Sequence, residues 1–174
     1  MYISAPTDKT EADTAVVVVP DPRQVLPCAG LIEKLVSLSS YLKELETQAH
    51  LIHLNYEGCN FIAIHEFLKT QYEGHVVQFD TIAEFVRAMD YWMPMCSNGL
   101  REALPCFQHL ECQDGRSMLT TYYQNLDTLI DMIEMIEPMA VEFRALDVAN
   151  YLADLMGQAN KSAWFIKATL RGAH

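Results

Sequence analysis

Residues 50–84 read HLIHLNYEGCNFIAIHEFLKTQYEGHVVQFDTIAE, and two long helical patterns meet inside this stretch at Asn55, Tyr56, Glu57, Gly58, Cys59 and Asn60. Among the side chains these patterns carry are the imidazoles of His53 and His65 and the carboxylates of Asp80 and Glu84. Nitrogen and oxygen donors of this kind suit Fe, Zn or Mn. The second pattern predicts one helix, and the fifteen residues from His65 to Asp80 then correspond to roughly 22 Å of rise. Ligand atoms sit only about 2 Å from a bound ion, so one copy of the helix cannot close a site. Two copies packed antiparallel about a twofold axis can, because the histidine end of each then lies beside the carboxylate end of the other. Fifteen steps of about 100° leave His65 and Asp80 only about 60° apart around the axis, and Asp80 and Glu84 share a face. His53, ending the preceding helix, is folded back by the turn to join His65.

Outward from this hairpin the chain is helical. After Pro27, Leu31, Leu35, Leu38, Leu42, Leu45, Ala49 and Ile52 recur at alternating intervals of four and three, a sustained amphipathic stripe. The second helix starts near Asn60, a good N-cap type, with Phe61, Ile64, Leu68, Tyr72, Val76, Phe79, Ala83 and Val86 on its apolar face. From Asp90 to Gly115 the periodicity weakens around Pro94, Gly99 and Pro105, which predicts a long crossover with one short helix around Leu100 to Leu110. A third helix is expected from Ser117 to Ala145, with Leu119, Tyr122, Leu126, Leu129, Ile133 and Ile136 inward, and Pro138 removes a backbone donor near Glu134 and should kink it. The fourth starts at Asp147 as N-cap and uses Val148, Leu152, Leu155, Ala159, Ala163, Ile166 and Leu170. Two hairpins joined by one crossover make an all-α four-helix bundle.

The intervals among His53, His65, Asp80 and Glu84 resemble those of the Dps miniferritins, a branch of the ferritin superfamily. In that family a histidine ends the first helix, a second follows after twelve residues, an Asp after fifteen more and a Glu four later, all intervals met here. The stretches Asn55 to His65 and Asp80 to Glu84, with Trp164 and Phe165, also look like the family, and the resemblance covers Leu26 to Leu170. It implies a ferritin-like bundle that assembles into a hollow dodecameric shell, with ferroxidase sites shared between subunits. The two histidines come from one chain and the two carboxylates from the other. The function implied is iron storage and detoxification, in which Fe²⁺ is the substrate, hydrogen peroxide or dioxygen the oxidant, and a ferric mineral the product. Zn can stand in at the same site. Leu54 occupies the position where the family usually has Trp, and Lys69 places a cation one turn after His65. The Glu-x-x-His motif of intra-bundle di-iron ferritins occurs nowhere in the chain.

Composition is consistent with such a shell. A chain of 174 residues suits a single domain, here residues 26–174, preceded by an extended tail over residues 1–25. A hydrophobic content of 51% implies that some apolar surface is buried between subunits. The net charge of -11 opposes a nonspecific nucleic-acid surface and suits a protein that concentrates cations. In the tail, Lys9 and Arg23 stand against Asp8, Glu11, Asp13 and Asp21, so DNA binding by that route is not expected. The valine run Val16 to Val19 would be an aggregation hazard if bare and is expected to lie on the shell or a neighbouring subunit. No apolar run is long enough to span a bilayer, and no basic segment precedes an apolar core at the N-terminus, so a cytoplasmic protein is expected. Five cysteines without a CxxC pair read as reduced thiols.

Other residues carry weaker signals. His50, one turn before His53, is a candidate hydrogen-bond partner of the metal ligands, with a buried or interface histidine of no metal role as an equal alternative. Glu73 reads as a solvated carboxylate. Asp147 and Asp154 are candidates for drawing in Fe²⁺ near a threefold pore, with N-capping and plain solvent exposure as equal alternatives. On a helix Cys106 and Cys112 would diverge by about 120°, so Cys106, His109 and Cys112 are not expected to hold a metal. Met132, Met135 and Met139 read as core filling. The rival functional class is a DNA-compacting or structural helical oligomer without significant ferroxidase activity.

Overall fold

The computed structural model describes residues 28–58 and 60–172. They form five helices in the order α1 Ala29–Asn55, α2 Phe61–Ala88, α3 Ser97–Ala103, α4 Gly115–Glu142 and α5 Leu146–Arg171, with no strand among the described residues. α1 packs along α2 and α4, α4 packs along α5, and α2 and α5 approach each other only briefly. The extended tail expected over residues 1–25 and its valine run lie outside the described residues.

Every member of the α1 stripe from Leu31 to Ile52 is fully buried, as are the six inward positions expected of α4. The stripe on α2 differs from expectation. Ile64, Leu68, His75, Ile82 and Val86 are its buried positions, whereas Val76 is 48% and Phe61 38% exposed. The steps of four from Leu68 through Tyr72 to Val76 rotate the expected stripe by about 80°, whereas the buried face runs by sevens from Leu68 through His75 to Ile82 and turns only about 20° per step. The core face of α2 thus contains a histidine.

The hairpin turn has a steric origin. Gly58 has φ 156°, a conformation essentially restricted to glycine. Gly115, at the start of α4, packs so closely on the turn that a Cβ there would meet Tyr56 Cε2 at 2.9 Å and the Glu57 carbonyl at 3.0 Å. Asn60 is the N-cap of α2 but makes no side-chain cap bond.

Three boundaries depart from the sequence reading. The crossover helix is Ser97–Ala103 and not Leu100 to Leu110. Pro105 disfavours helical backbone at the residue before it, and Leu104 is extended with ψ 123°. Cys106, His109 and Cys112 are therefore not helical. α4 begins at Gly115, where the Asp114 side chain accepts from Ser117 N at 2.7 Å as N-cap. It ends at Glu142 because Arg144 turns left-handed with φ 61°, and Ala145 N bonds the Ala140 carbonyl at 2.9 Å, a Schellman-type closure. This closure leaves Ala145 as the N-cap of α5 and places Asp147 in the first turn, correcting its assignment as cap. Pro138 lies inside α4.

Polar side chains of α1 and α4 tie the crossover down. Ser37 Oγ donates to Ala103 O at 3.0 Å, and Ser40 Oγ donates to Leu100 O. Asn125, fully buried on α4, accepts from Gln108 N at 3.1 Å and donates to Gln108 O at 2.8 Å. It also donates to Gln48 Oε1 at 2.9 Å and accepts from Tyr41 Oη at 3.1 Å. The carboxamide is thereby satisfied on all sides.

Candidate metal centre

His53 ends α1 and His65 lies in the second turn of α2, and the short turn between them brings their rings face to face. The ring centroids are 3.6 Å apart with an interplanar angle of 20°. His53 Nδ1 lies 2.8 Å from the His65 carbonyl, and His65 Nδ1 lies 3.0 Å from the His53 carbonyl. A carbonyl oxygen only accepts, so each Nδ1 carries the proton. In the neutral tautomer both Nε2 lone pairs are then left free on adjacent rings. This is the arrangement in which a backbone carbonyl fixes a ligating histidine. His53 is 8% exposed, and Phe61 and Tyr72 flank the pair, with ring centroids 5.1 Å from His65 and 5.3 Å from His53.

Asp80 and Glu84 lie farther along the same continuous helix. Both are exposed, and among the described residues neither has an ion-pair or hydrogen-bond partner. No group of three His, Cys, Asp or Glu side chains able to hold a metal occurs within the described residues of one chain. One chain therefore brings the two histidines together and leaves the two carboxylates apart from them, as the helix length requires.

The remaining candidates fare differently. His50 is exposed and makes no hydrogen bond to the histidine pair; its ring stacks on Tyr72 at 4.2 Å. Asp147 and Asp154 are both exposed on α5, and Asp154 Oδ2 accepts from Gln158 Nε2 at 2.7 Å. Leu54 is 64% exposed, and Lys69 and Glu73 face solvent. Cys106, His109 and Cys112 are exposed, with His109 Nδ1 3.9 Å from Glu44 Oε1. Met132 is buried, but Met135 is 62% exposed, so the expected methionine packing holds only in part.

Sequence reasoning missed His75. It is buried on α2, with Nε2 2.8 Å from Tyr122 Oη and Nδ1 2.7 Å from Gln78 Oε1. Burial holds its pKa down to about 4 and pushes the Tyr122 phenol above its ordinary range. The signal was its place midway between Leu68 and Ile82, a polar residue at a core position. Both side chains are far from the ligand pair's chemistry in one respect: neither His75 nitrogen is left free.

The sequence matches the family model of the ferritin-like domain over residues 32–173. The chain belongs to the ferritin-like family. Its fold is that of the Dps-type miniferritins. Antigen TpF1 of Treponema pallidum is similar at 22% identity and TM-score 0.77, covering 83% of this chain and 93% of that one. The Dps protein of Vibrio cholerae O1, described as a member of a broad superfamily of ferritin-like diiron-carboxylate proteins, is similar at 20% identity and TM-score 0.75, covering 81% and 89%. Dps from Listeria monocytogenes is similar at 19% identity and TM-score 0.75, covering 80% and 92%. No curated protein matches the chain by sequence. No helix among the described residues is long and apolar enough to cross a membrane.

Proposed function

We propose that this chain is the subunit of a homo-oligomeric shell, a dodecamer, that oxidises Fe²⁺ at sites shared between two subunits and stores the ferric product inside. The observation that carries this reading is the pair of free Nε2 atoms on His53 and His65, with the complementary carboxylates Asp80 and Glu84 unpartnered at the other end of the same helix. His53 and His65 of one subunit supply neutral nitrogen donors. Asp80 and Glu84 of the facing subunit add negative charge, which favours Fe³⁺ over Fe²⁺. Leu51, Leu54, Ile62, Val76 and Val77 are exposed apolar residues on α1 and α2, and they are the surface such a twofold contact buries. Hydrogen peroxide or dioxygen takes the electrons, and consuming Fe²⁺ with peroxide limits hydroxyl-radical formation.

The test is to mix apo-protein anaerobically with Fe²⁺, add hydrogen peroxide or air, and follow ferric absorbance against a protein-free control. Acceleration that keeps the iron in solution with the protein is expected, and it should be lost in Asp80→Ala, Glu84→Ala without loss of assembly. Equal rates in that variant and the parent would reject the assignment.

A further inference from the structure

Among the described residues, Tyr122 and His75 are a hydrogen-bonded phenol and imidazole buried inside the bundle that the metal centre does not use. The direction of each hydrogen bond follows from its partners. Gln78 Oε1 only accepts, so His75 Nδ1 carries the proton. The ring is neutral, which leaves Nε2 as the acceptor for the Tyr122 hydroxyl at 2.8 Å. The other acceptor near that hydroxyl, Gln71 Oε1, is 3.5 Å away and too long to compete. Beyond His75 the run continues from Gln78 Nε2 to Gln158 Oε1 at 3.0 Å, and from Gln158 Nε2 to Asp154 Oδ2 at 2.7 Å. All the donors point one way, from the buried phenol towards a surface carboxylate.

We propose that Tyr122 and His75 form a redox-active pair, in which one-electron oxidation of the buried phenol is coupled to transfer of its proton to His75 Nε2. The low dielectric of the core disfavours both alternatives, prior ionisation to phenolate and a lingering phenol radical cation. The oxidised phenol is a far stronger acid than an imidazolium, so even a histidine held down to about 4 by burial takes its proton. The charge of Glu46 on α1 and the bond that His75 Nδ1 donates to Gln78 Oε1 both favour the protonated ring. A one-electron oxidant of the hydroxyl-radical class, which Fe²⁺ and hydrogen peroxide generate, balances the step. The phenol gives an electron to the radical, which becomes hydroxide; the O–H bond breaks, an N–H bond forms on His75, and a neutral phenoxyl remains. Return of an electron from Fe²⁺ and of the proton from His75 restores the phenol. A cleft of about 300 Å³ lined by Gln71, His75 and Gln78 of α2, Leu126 of α4 and Gln158 of α5 reaches the His75 side of the pair, while Tyr122 lies behind it, fully buried. Tyr72, in edge contact with His53 at 5.3 Å, lies one turn before His75 on α2.

The test uses no iron, so its outcome is separable from the ferroxidase reading. Apo-protein is oxidised by azide radical from pulse radiolysis, and the phenoxyl is followed by absorbance and, after freezing, by electron paramagnetic resonance. A long-lived phenoxyl with an exchangeable, histidine-borne hydrogen bond is expected in the parent protein, formed more slowly in heavy water. Tyr122→Phe should remove this long-lived species. His75→Gln, which keeps an acceptor but not a base, should shorten its lifetime about tenfold or more, a difference of roughly 1.4 kcal/mol in barrier. A long-lived signal that survives Tyr122→Phe, a phenoxyl lacking the exchangeable hydrogen bond in the parent, or an unchanged lifetime in His75→Gln would each overturn the proposal.

Discussion

The pair His53 and His65 and the single His75 are both shielded by the bundle, yet their nitrogens are used in opposite ways. In the pair, each Nδ1 is bound by the other residue's backbone carbonyl and each Nε2 is open. In His75 both nitrogens are taken by side chains of the chain itself. The difference shows that burial does not decide what a histidine does. A backbone carbonyl fixes the tautomer and leaves a lone pair for an external partner, whereas a closed side-chain network keeps the lone pair for an internal one.

The strongest way to break this comparison is to remove the open nitrogens. His53→Ala with His65→Ala should slow Fe²⁺ oxidation about 100-fold or more, given that even indirect support of a ligand is worth 10–100-fold. The Zn²⁺-dependent rise in melting temperature should vanish with it. A retained Zn²⁺ shift would mean that the pair is structural.

The closed histidine should be felt next most strongly, through pH. His75 titrates near 6.5 when unfolded and at about 4 when folded, so between these values the unfolded chain binds the extra proton. Its contribution to stability is complete above about pH 6.5 and declines as pH falls towards 4, by about 3 kcal/mol in all. Urea melts at pH 7 and pH 4.5 check this, and His75→Gln should lose that part of the pH dependence. His75→Gln should leave the Zn²⁺ shift in place, which separates the two histidine sites.

A smaller effect is expected where the hairpin turn meets α4. Gly115→Ala drives a Cβ into Tyr56 and the Glu57 backbone and should destabilise the protein by about 1–3 kcal/mol. Because this turn sets how His53 lies against His65, Zn²⁺ affinity should also fall. Asp114→Ala, one residue earlier, removes only the N-cap bond to Ser117 and should cost about 1 kcal/mol with Zn²⁺ affinity unchanged.

The sequence by itself determined the four long helices, because leucines at alternating intervals of three and four have only one way to be buried together. It also determined that His65 and Asp80 cannot serve one ion in one chain, since helix rise is fixed by backbone geometry. The pairing of His53 with His65 was legible once the turn at Gly58 was read as a tight reversal. The reciprocal carbonyl bonds that set their tautomers were not, because they depend on how two helix ends lie against each other. Nor could the sequence place the crossover. Pro105 disfavours helix just before it, but the carboxamides of Asn125 from α4 and Gln48 from α1, which meet at the backbone of Gln108, decide where the segment after α3 lies. The role of His75 was hidden for the same reason. Local pattern gives the face on which a residue sits, and only the packed bundle supplies the partners, Tyr122 from α4 and, through Gln78, Gln158 from α5, that determine what its nitrogens do.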